Sequence, residues 1–203
     1  VGGPVTWTAI DVGSSLACGV TASGKAYCWG TNYYGQLGNG TDSPNPSNAP
    51  VLVADPVFGP VTWATVDAGG SHACGVTTDG WAHCWGRNSD GGLGDGTTTD
   101  RNIPTRVAYP SSGFVPWISV SAGSESRGHS CGVTVDAVAY CWGYDGLGQL
   151  GNGPAPESWV PVPVIYSHPA PVDWASVDAG GMHSGGLKAS GEAYLWGLND
   201  EGQ

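Results

Sequence analysis

The sequence predicts an all-β fold, a β-propeller of four-stranded antiparallel blades, and internal repetition is what predicts it. The ribbon CGVTASGKAYCWG (Cys18 to Gly30) returns as CGVTTDGWAHCWG (Cys74 to Gly86) and CGVTVDAVAYCWG (Cys131 to Gly143), then without cysteines as GGLKASGEAYLWG (Gly185 to Gly197). A tryptophan-led segment precedes each copy, and the apolar/polar alternation has period 2, which marks strands. About four short strands per repeat, with no convincing helix, fit one sheet per repeat arranged radially.

The repeats span about 5–60, 61–114, 115–171 and 172–203, the last unfinished, so about 3.6 repeats are present. The first strand of each is WTAIDVG (Trp7), WATVDAG (Trp63), WISVSAG (Trp117) or WASVDAG (Trp174). The hairpin follows, with Cys18 facing Cys28 and Val20 facing Ala26. Gly24, Gly80 and Gly191 suit the left-handed position of its loop. Ala137 stands at that position in the third repeat, so its turn must differ or carry strain. Glycine-rich turns come next: YGQLGNG (Tyr34 to Gly40), DGGLGDG (Asp90 to Gly96) and LGQLGNG (Leu147 to Gly153). The P-x-x-V segments at Pro50 to Val53, Pro104 to Val107 and Pro161 to Val164 read as outer strands, where a missing N–H is tolerated.

Six cysteines allow many pairings, but the repeat selects Cys18 with Cys28, Cys74 with Cys84 and Cys131 with Cys141. An opposed antiparallel pair brings Cα atoms within the span of a disulfide. C-x9-C lacks the short paired spacing of a zinc site; reduced structural thiols are the alternative. Gly185 and Leu195 replace both cysteines at once, and the leucine is expected to fill a similar volume by packing. Each bridge would contribute roughly 2–3 kcal/mol through its short loop. Paired cysteines imply an extracellular or periplasmic address, including the cell surface.

At 203 residues the chain can bury a sizeable core, and its 35 glycines fall mostly at fixed repeat positions. Seventeen acidic residues against six basic ones (net charge −11) argue against nucleic-acid binding. No apolar run reaches the ~18–20 residues of a membrane-spanning helix. The chain begins at Val1, with neither an initiator methionine nor a signal peptide, so a targeting segment is expected to be removed or to lie outside this stretch.

The signature W-x-x-[VI]-x-x-G, G-x-x-H-[SA]-C-G-V, Y/H-C-W-G, G-Q-L-G-[ND]-G and P-x-x-V resembles the repeat of the regulator of chromosome condensation family. It covers nearly the whole chain. The resemblance implies a propeller, usually of seven blades, with this chain part of a seven-bladed ring or a longer array. The paired cysteines look like the secreted, bacterial-type branch. The best-known member exchanges guanine nucleotide on a GTPase and binds chromatin, but no exchange-factor residue carries over to a numbered position here, and fold does not imply function.

His72, His129 and His183 share one repeat phase, with Leu16 in the first repeat; a metal ring is the sharper reading and a histidine bonding nearby backbone the plainer one, which the resemblance implies. The acidic turns Asn88 to Gly91 and Asp95 to Asp100 lack calcium-loop spacing and read as Asx turns. His129–Ser130 and His183–Ser184 are strand neighbours facing opposite ways, so neither forms a base–nucleophile pair. No catalytic residue, metal site or cofactor is expected. Trp29, Trp85, Trp142 and Trp196 are repeat-locked and read as core. The irregular aromatics Tyr33, Tyr34, Trp81, Tyr109, Phe114, Tyr144, Trp159 and Tyr166 fall in turns or connectors and are the candidate recognition residues. The insertion Glu125 to Gly128 is expected to protrude, and Asn39-Gly-Thr41 is a glycosylation sequon.

The function expected is an extracellular, non-enzymatic binding or scaffold module presenting loops to a protein or glycan. A self-assembling subunit of a surface fibre or envelope layer is the second expectation, and a GTPase exchange factor the third.

Overall fold

Fifteen strands and no helix make up the described residues (5–110, 113–125, 127–165 and 173–200) of the computed structural model. Blade 1 is β1 (Trp7–Val12), β2 (Leu16–Thr21), β3 (Ala26–Asn32) and β4 (Ser43–Leu52). Blade 2 is β5 (Trp63–Ala68), β6 (His72–Thr77), β7 (Ala82–Gly86) and β8 (Arg101–Arg106). Blade 3 is β9 (Trp117–Ala122), β10 (His129–Thr134), β11 (Ala139–Gly143) and β12 (Ser158–Pro163). Blade 4 contributes β13 (Trp174–Ala179), β14 (His183–Lys188) and β15 (Ala193–Gly197). Each sheet is ordered as the chain runs, with antiparallel neighbours. This is the propeller blade the repeat implies.

The hairpin register places Cys18 opposite Cys28, Cys74 opposite Cys84, Cys131 opposite Cys141, and Gly185 opposite Leu195. All three cysteine pairs are disulfides, with Cα atoms 4.1, 4.1 and 4.0 Å apart. In blade 4, Leu195 does not pack as a replacement for the bridge. It reaches toward Gly185 but stays 65% exposed, because no further blade covers that face among the described residues.

The core lies in the seams between blades. One cluster joins Cys18, Val20 and Cys28 of blade 1 to Trp63, Val66 and Trp85 of blade 2; two more repeat this arrangement at the following seams. The leading tryptophan of each blade lies over the glycine of C-G-V or its counterpart. A Cβ at Gly19, Gly75, Gly132 or Gly186 would come within 2.8, 2.8, 2.8 or 2.4 Å of that ring. The same tryptophans meet a second ring edge-on, Trp63 against Trp85 and Trp117 against Trp142, with centroids 5.6 Å apart in both, a favoured aromatic geometry. Trp85 and Trp142 are fully buried; Trp29 and Trp196, on the two end blades, are half-buried.

Each hairpin loop also holds the start of the next blade. The N–H groups of Trp63, Trp117 and Trp174 donate to the carbonyls of Gly24, Gly80 and Ala137 at 2.9, 2.9 and 3.0 Å. That shared task keeps the third turn the same as the others: Ala137 N–H donates to Thr134, as Gly24 does to Thr21 and Gly80 to Thr77. Ala137 therefore sits at φ 62°, the one non-glycine with positive φ among the described residues. A side chain there costs about 1–2 kcal/mol. Ala137→Gly is expected to stabilise the protein by about 0.5–1 kcal/mol, read as a higher denaturant midpoint; an unchanged or lower midpoint would show the turn to be unstrained.

Candidate functional site

Trp81 lies in the turn between β6 and β7, while Tyr109 and Phe114 lie in the connector between β8 and β9. The fold brings them together. Phe114 stacks on Trp81 with centroids 4.2 Å apart, and Tyr109 stands edge-on to Trp81 at 5.5 Å. The Arg106 guanidinium lies over Trp81 at 3.5 Å and over Phe58 at 4.7 Å. A surface cluster results in which Phe58, Phe114 and Tyr109 are exposed and Trp81 and Arg106 are half-buried. Phe58, at 76% exposure its most open member, and Arg106 were not singled out from sequence. Phe58 occupies the blade 1 connector much as Phe114 occupies the next, and that parallel was the available signal.

Of the other candidates, Tyr33 and Tyr34 share Phe58 with this cluster, while Tyr144 and Trp159 lie on blade 3. Tyr33 and Tyr34 line an open groove of about 550 Å3 between blades 1 and 2, together with Phe58, Asp42, Asp100 and Asn102. Arg87 lies over the Tyr34 ring at 5.1 Å, and Tyr34 N–H donates to Gln36 Oε1 at 2.9 Å. Tyr144 faces Arg127 at 5.1 Å, on blade 3. Trp159 belongs to β12 and rests on Gly91. Tyr166 lies outside the described residues. Just before the insertion, Ser14 of blade 1 donates to the Ser124 carbonyl at 2.9 Å; within it, Glu125 and Arg127 are exposed.

His72 and His129 do not bond the backbone of their own turns, as the plainer reading had it; their rings cross the seams, whereas the His183 ring has no such pair among the described residues. His72 Nε2 meets Ser130 Oγ at 2.8 Å and His129 Nε2 meets Ser184 Oγ at 2.7 Å. The serines donate in turn to the Gly92 and Gln149 carbonyls at 2.8 Å, which also accept the indole N–H of Trp142 and Trp196. With each hydroxyl proton committed to a carbonyl, the histidine must be the Nε2–H donor. That polarity is the reverse of a base activating a nucleophile. Burial lowers His72 to a pKa of about 4 and His129 to about 3. Leu16 and Ala73 occupy the corresponding positions at the first seam, in one apolar cluster, so donor and acceptor are both absent there. Sequence reasoning missed these pairs because each residue's partner lies in the next repeat.

The acidic turns form Asx-type networks. Asn88 Oδ1 accepts the Leu93 N–H, and its amide donates to Asp95 and to the Thr97 and Thr99 carbonyls. Asp95 pairs with Arg101 at 2.8 Å. No group of three or more metal-ligating side chains occurs among the described residues. In the Asn39 sequon, Thr41 Oγ1 donates to Asn39 Oδ1 at 2.8 Å on an exposed turn. On the inner strands, Asp67 accepts the Ala122 N–H across a seam at 2.7 Å. Burial, with Asp11 and Asp178 nearby adding to it, raises its pKa to about 7.

Residues 23–76, 79–131 and 136–187 match the regulator of chromosome condensation (RCC1) repeat, and 7–36 and 63–91 match a second form of it. The chain is 32% identical over 196 residues to the ultraviolet-B receptor UVR8 of Arabidopsis thaliana, covering 96% of this chain and 42% of the receptor. In structure it is similar to human WBSCR16 (TM-score 0.81, 24% identity, 97% of this chain and 48% of that one). It is also similar to Prp20p of Saccharomyces cerevisiae, described with binding properties to Gsp1p and histones (TM-score 0.73, 25% identity, 90% and 44%). The chain spans less than half the length of each.

Two outcomes are expected at the seams. Ser130→Ala leaves the buried His72 donor without an acceptor and should cost about 1–3 kcal/mol. Adding His72→Leu recreates the Leu16–Ala73 arrangement and should recover most of that loss in denaturant unfolding; an additive double variant would refute the coupling. The unfolded chain takes a proton on His72 near pH 6.5 and the folded one only near 4, so stability from this group falls as pH drops through that window. Asp67 has the opposite sign: its raised pKa contributes stability below about pH 4 that is lost as pH rises through 7. Asp67→Asn keeps an acceptor for Ala122, so its melting temperature relative to wild type should be higher at pH 8 than at pH 4.5; equal differences would contradict this.

Proposed function

The chain belongs to the regulator of chromosome condensation repeat family, and from that premise we propose that it is a non-enzymatic binding module working outside the cytoplasm, with connector loops presented to a protein partner. The surface cluster of Phe58, Arg106, Trp81, Phe114 and Tyr109 carries this reading. Its aromatic members sit where the repeat does not require them, and aromatic and arginine side chains gathered on loops are what protein interfaces concentrate. A rigid scaffold with variable connectors places them without strain on the core. The binding properties of Prp20p toward Gsp1p and histones support a partner-binding role for such propellers. Three disulfides support an oxidising compartment. The non-enzymatic reading is supported by the seam pairs, whose serine hydroxyls point at carbonyls.

The test is paired capture with the 203-residue chain as bait, wild type against a Trp81→Ala/Phe114→Ala variant, from the envelope and medium of the source organism. Phe114 is exposed and Trp81 half-buried on an outer loop, so the variant should stay folded with a lowered melting temperature and lose at least tenfold in binding to the wild type's partner. Identical capture by both baits, or a turnover reaction abolished by a single point substitution, would overturn the reading.

A further inference from the structure

We propose that the groove between blades 1 and 2 seats an aromatic side chain, tryptophan above all, carried on an extended segment of a partner protein. The inference rests on the binding-module reading and names what one of its surfaces takes.

The protein contains its own precedent at the neighbouring seam. Asn102 on β8 and Trp159 on β12 hold the same place in successive blades, two residues before Pro104 and Pro161. The Asn102 carbonyl accepts the Gly40 N–H at 2.8 Å, and the Trp159 carbonyl accepts the Gly96 N–H at 2.9 Å. Each residue presses on a glycine of the preceding blade's turn: a Cβ on Gly35 would lie 2.5 Å from Asn102, and one on Gly91 would lie 2.4 Å from the Trp159 ring. At the second seam an indole on an extended strand therefore covers this site. At the first seam the shorter Asn102 turns its amide toward the Gly40 carbonyl at 3.3 Å, and the groove of about 550 Å3 stays open.

The walls suit an aromatic guest. Tyr33 is 61% exposed and Phe58 76%, and Tyr34 is held in place by Arg87 and by its hydrogen bond to Gln36. Ile103 and Thr105 also line the groove. Two carboxylates line it as acceptors for an indole or backbone N–H: Asp42, without a side-chain hydrogen bond among the described residues, and Asp100, one oxygen of which accepts the Asn88 N–H. Offset aromatic contacts with a hydrogen bond to the polar end are the favoured setting for tryptophan. The outer strand of blade 1, β4, carries Pro44, Pro46 and Pro50, which removes donors for an added strand. Recognition through an inserted side chain is thus favoured over strand addition.

The test is a nuclear magnetic resonance titration of the isotope-labelled 203-residue chain with N-acetyl-tryptophanamide and with the peptide Ser-Ser-Trp-Ser-Ser. Shifts are expected at Tyr33, Tyr34 and Ile103, with a dissociation constant on the order of millimolar for a single side chain. Asn102→Trp fills the groove from within, as Trp159 does next door, and should weaken binding at least tenfold while leaving the melting temperature near wild type. Asn102→Leu, a smaller intrusion, should weaken it less, and serves if the tryptophan variant fails to fold. Shifts absent from these residues, equal response to N-acetyl-alaninamide, undiminished binding by the Asn102 variants, or cellohexaose bound there in place of the indole would each overturn the assignment. If the Trp81/Phe114 variant loses its captured partner while this titration fails, only the groove assignment falls.

Discussion

Adjacent blades meet backbone to backbone at the glycine that closes each inner strand, and the rest of the architecture depends on that approach. A Cβ on Gly13 would lie 1.9 Å from the Gly69 carbonyl oxygen; one on Gly69 would lie 2.6 Å from that of Gly123, and one on Gly123 2.9 Å from that of Gly180. Any side chain there would push the inner strands apart. With them close, the seams are narrow enough to be filled by one tryptophan over one glycine and by the disulfide ribbon. Radial sheets that converge inside must diverge outside, so the outer strands and connectors are released from packing. The aromatic cluster and the groove both lie in that outer zone.

Seam chemistry varies within this fixed geometry. Two seams bury a histidine–serine pair and one buries leucine against alanine, and in each case both partners change together. A buried donor demands an acceptor, whereas an apolar pair demands neither. The seams of a chain with 11% charged residues are thereby closed without ion pairs among the described residues; the two salt bridges there lie within single blades, Asp95–Arg101 in an outer turn and Asp173 with the buried Lys188 in blade 4.

Much of the fold is legible in the sequence. Strand period, hairpin register and the cysteine pairing follow from a chain that supplies its own alignment, since each copy tests the others. Ala137 was recognisable as an exception, although only the hydrogen bond from Trp174 to its carbonyl shows why the turn keeps its shape. The site was less legible. Trp81, Tyr109 and Phe114 were picked out individually, but Arg106 and Phe58, which complete their cluster, were not. Leu195 was expected to pack and is instead exposed, because packing at an end blade depends on what lies across the seam.

The sequence alone determined the within-blade structure: which segments are strands, which residues face each other, and which cysteines can bridge. These depend on separations of a few residues, where alternation and turn geometry leave little choice. Tertiary structure alone decided the relations between blades: His72 with Ser130, Phe58 with Arg106, and Asn102 against Gly35 as Trp159 lies against Gly91. Those contacts join residues one repeat apart, and the distance between them is set by how closely successive backbones approach at their glycines. Sequence spacing carries no record of that distance.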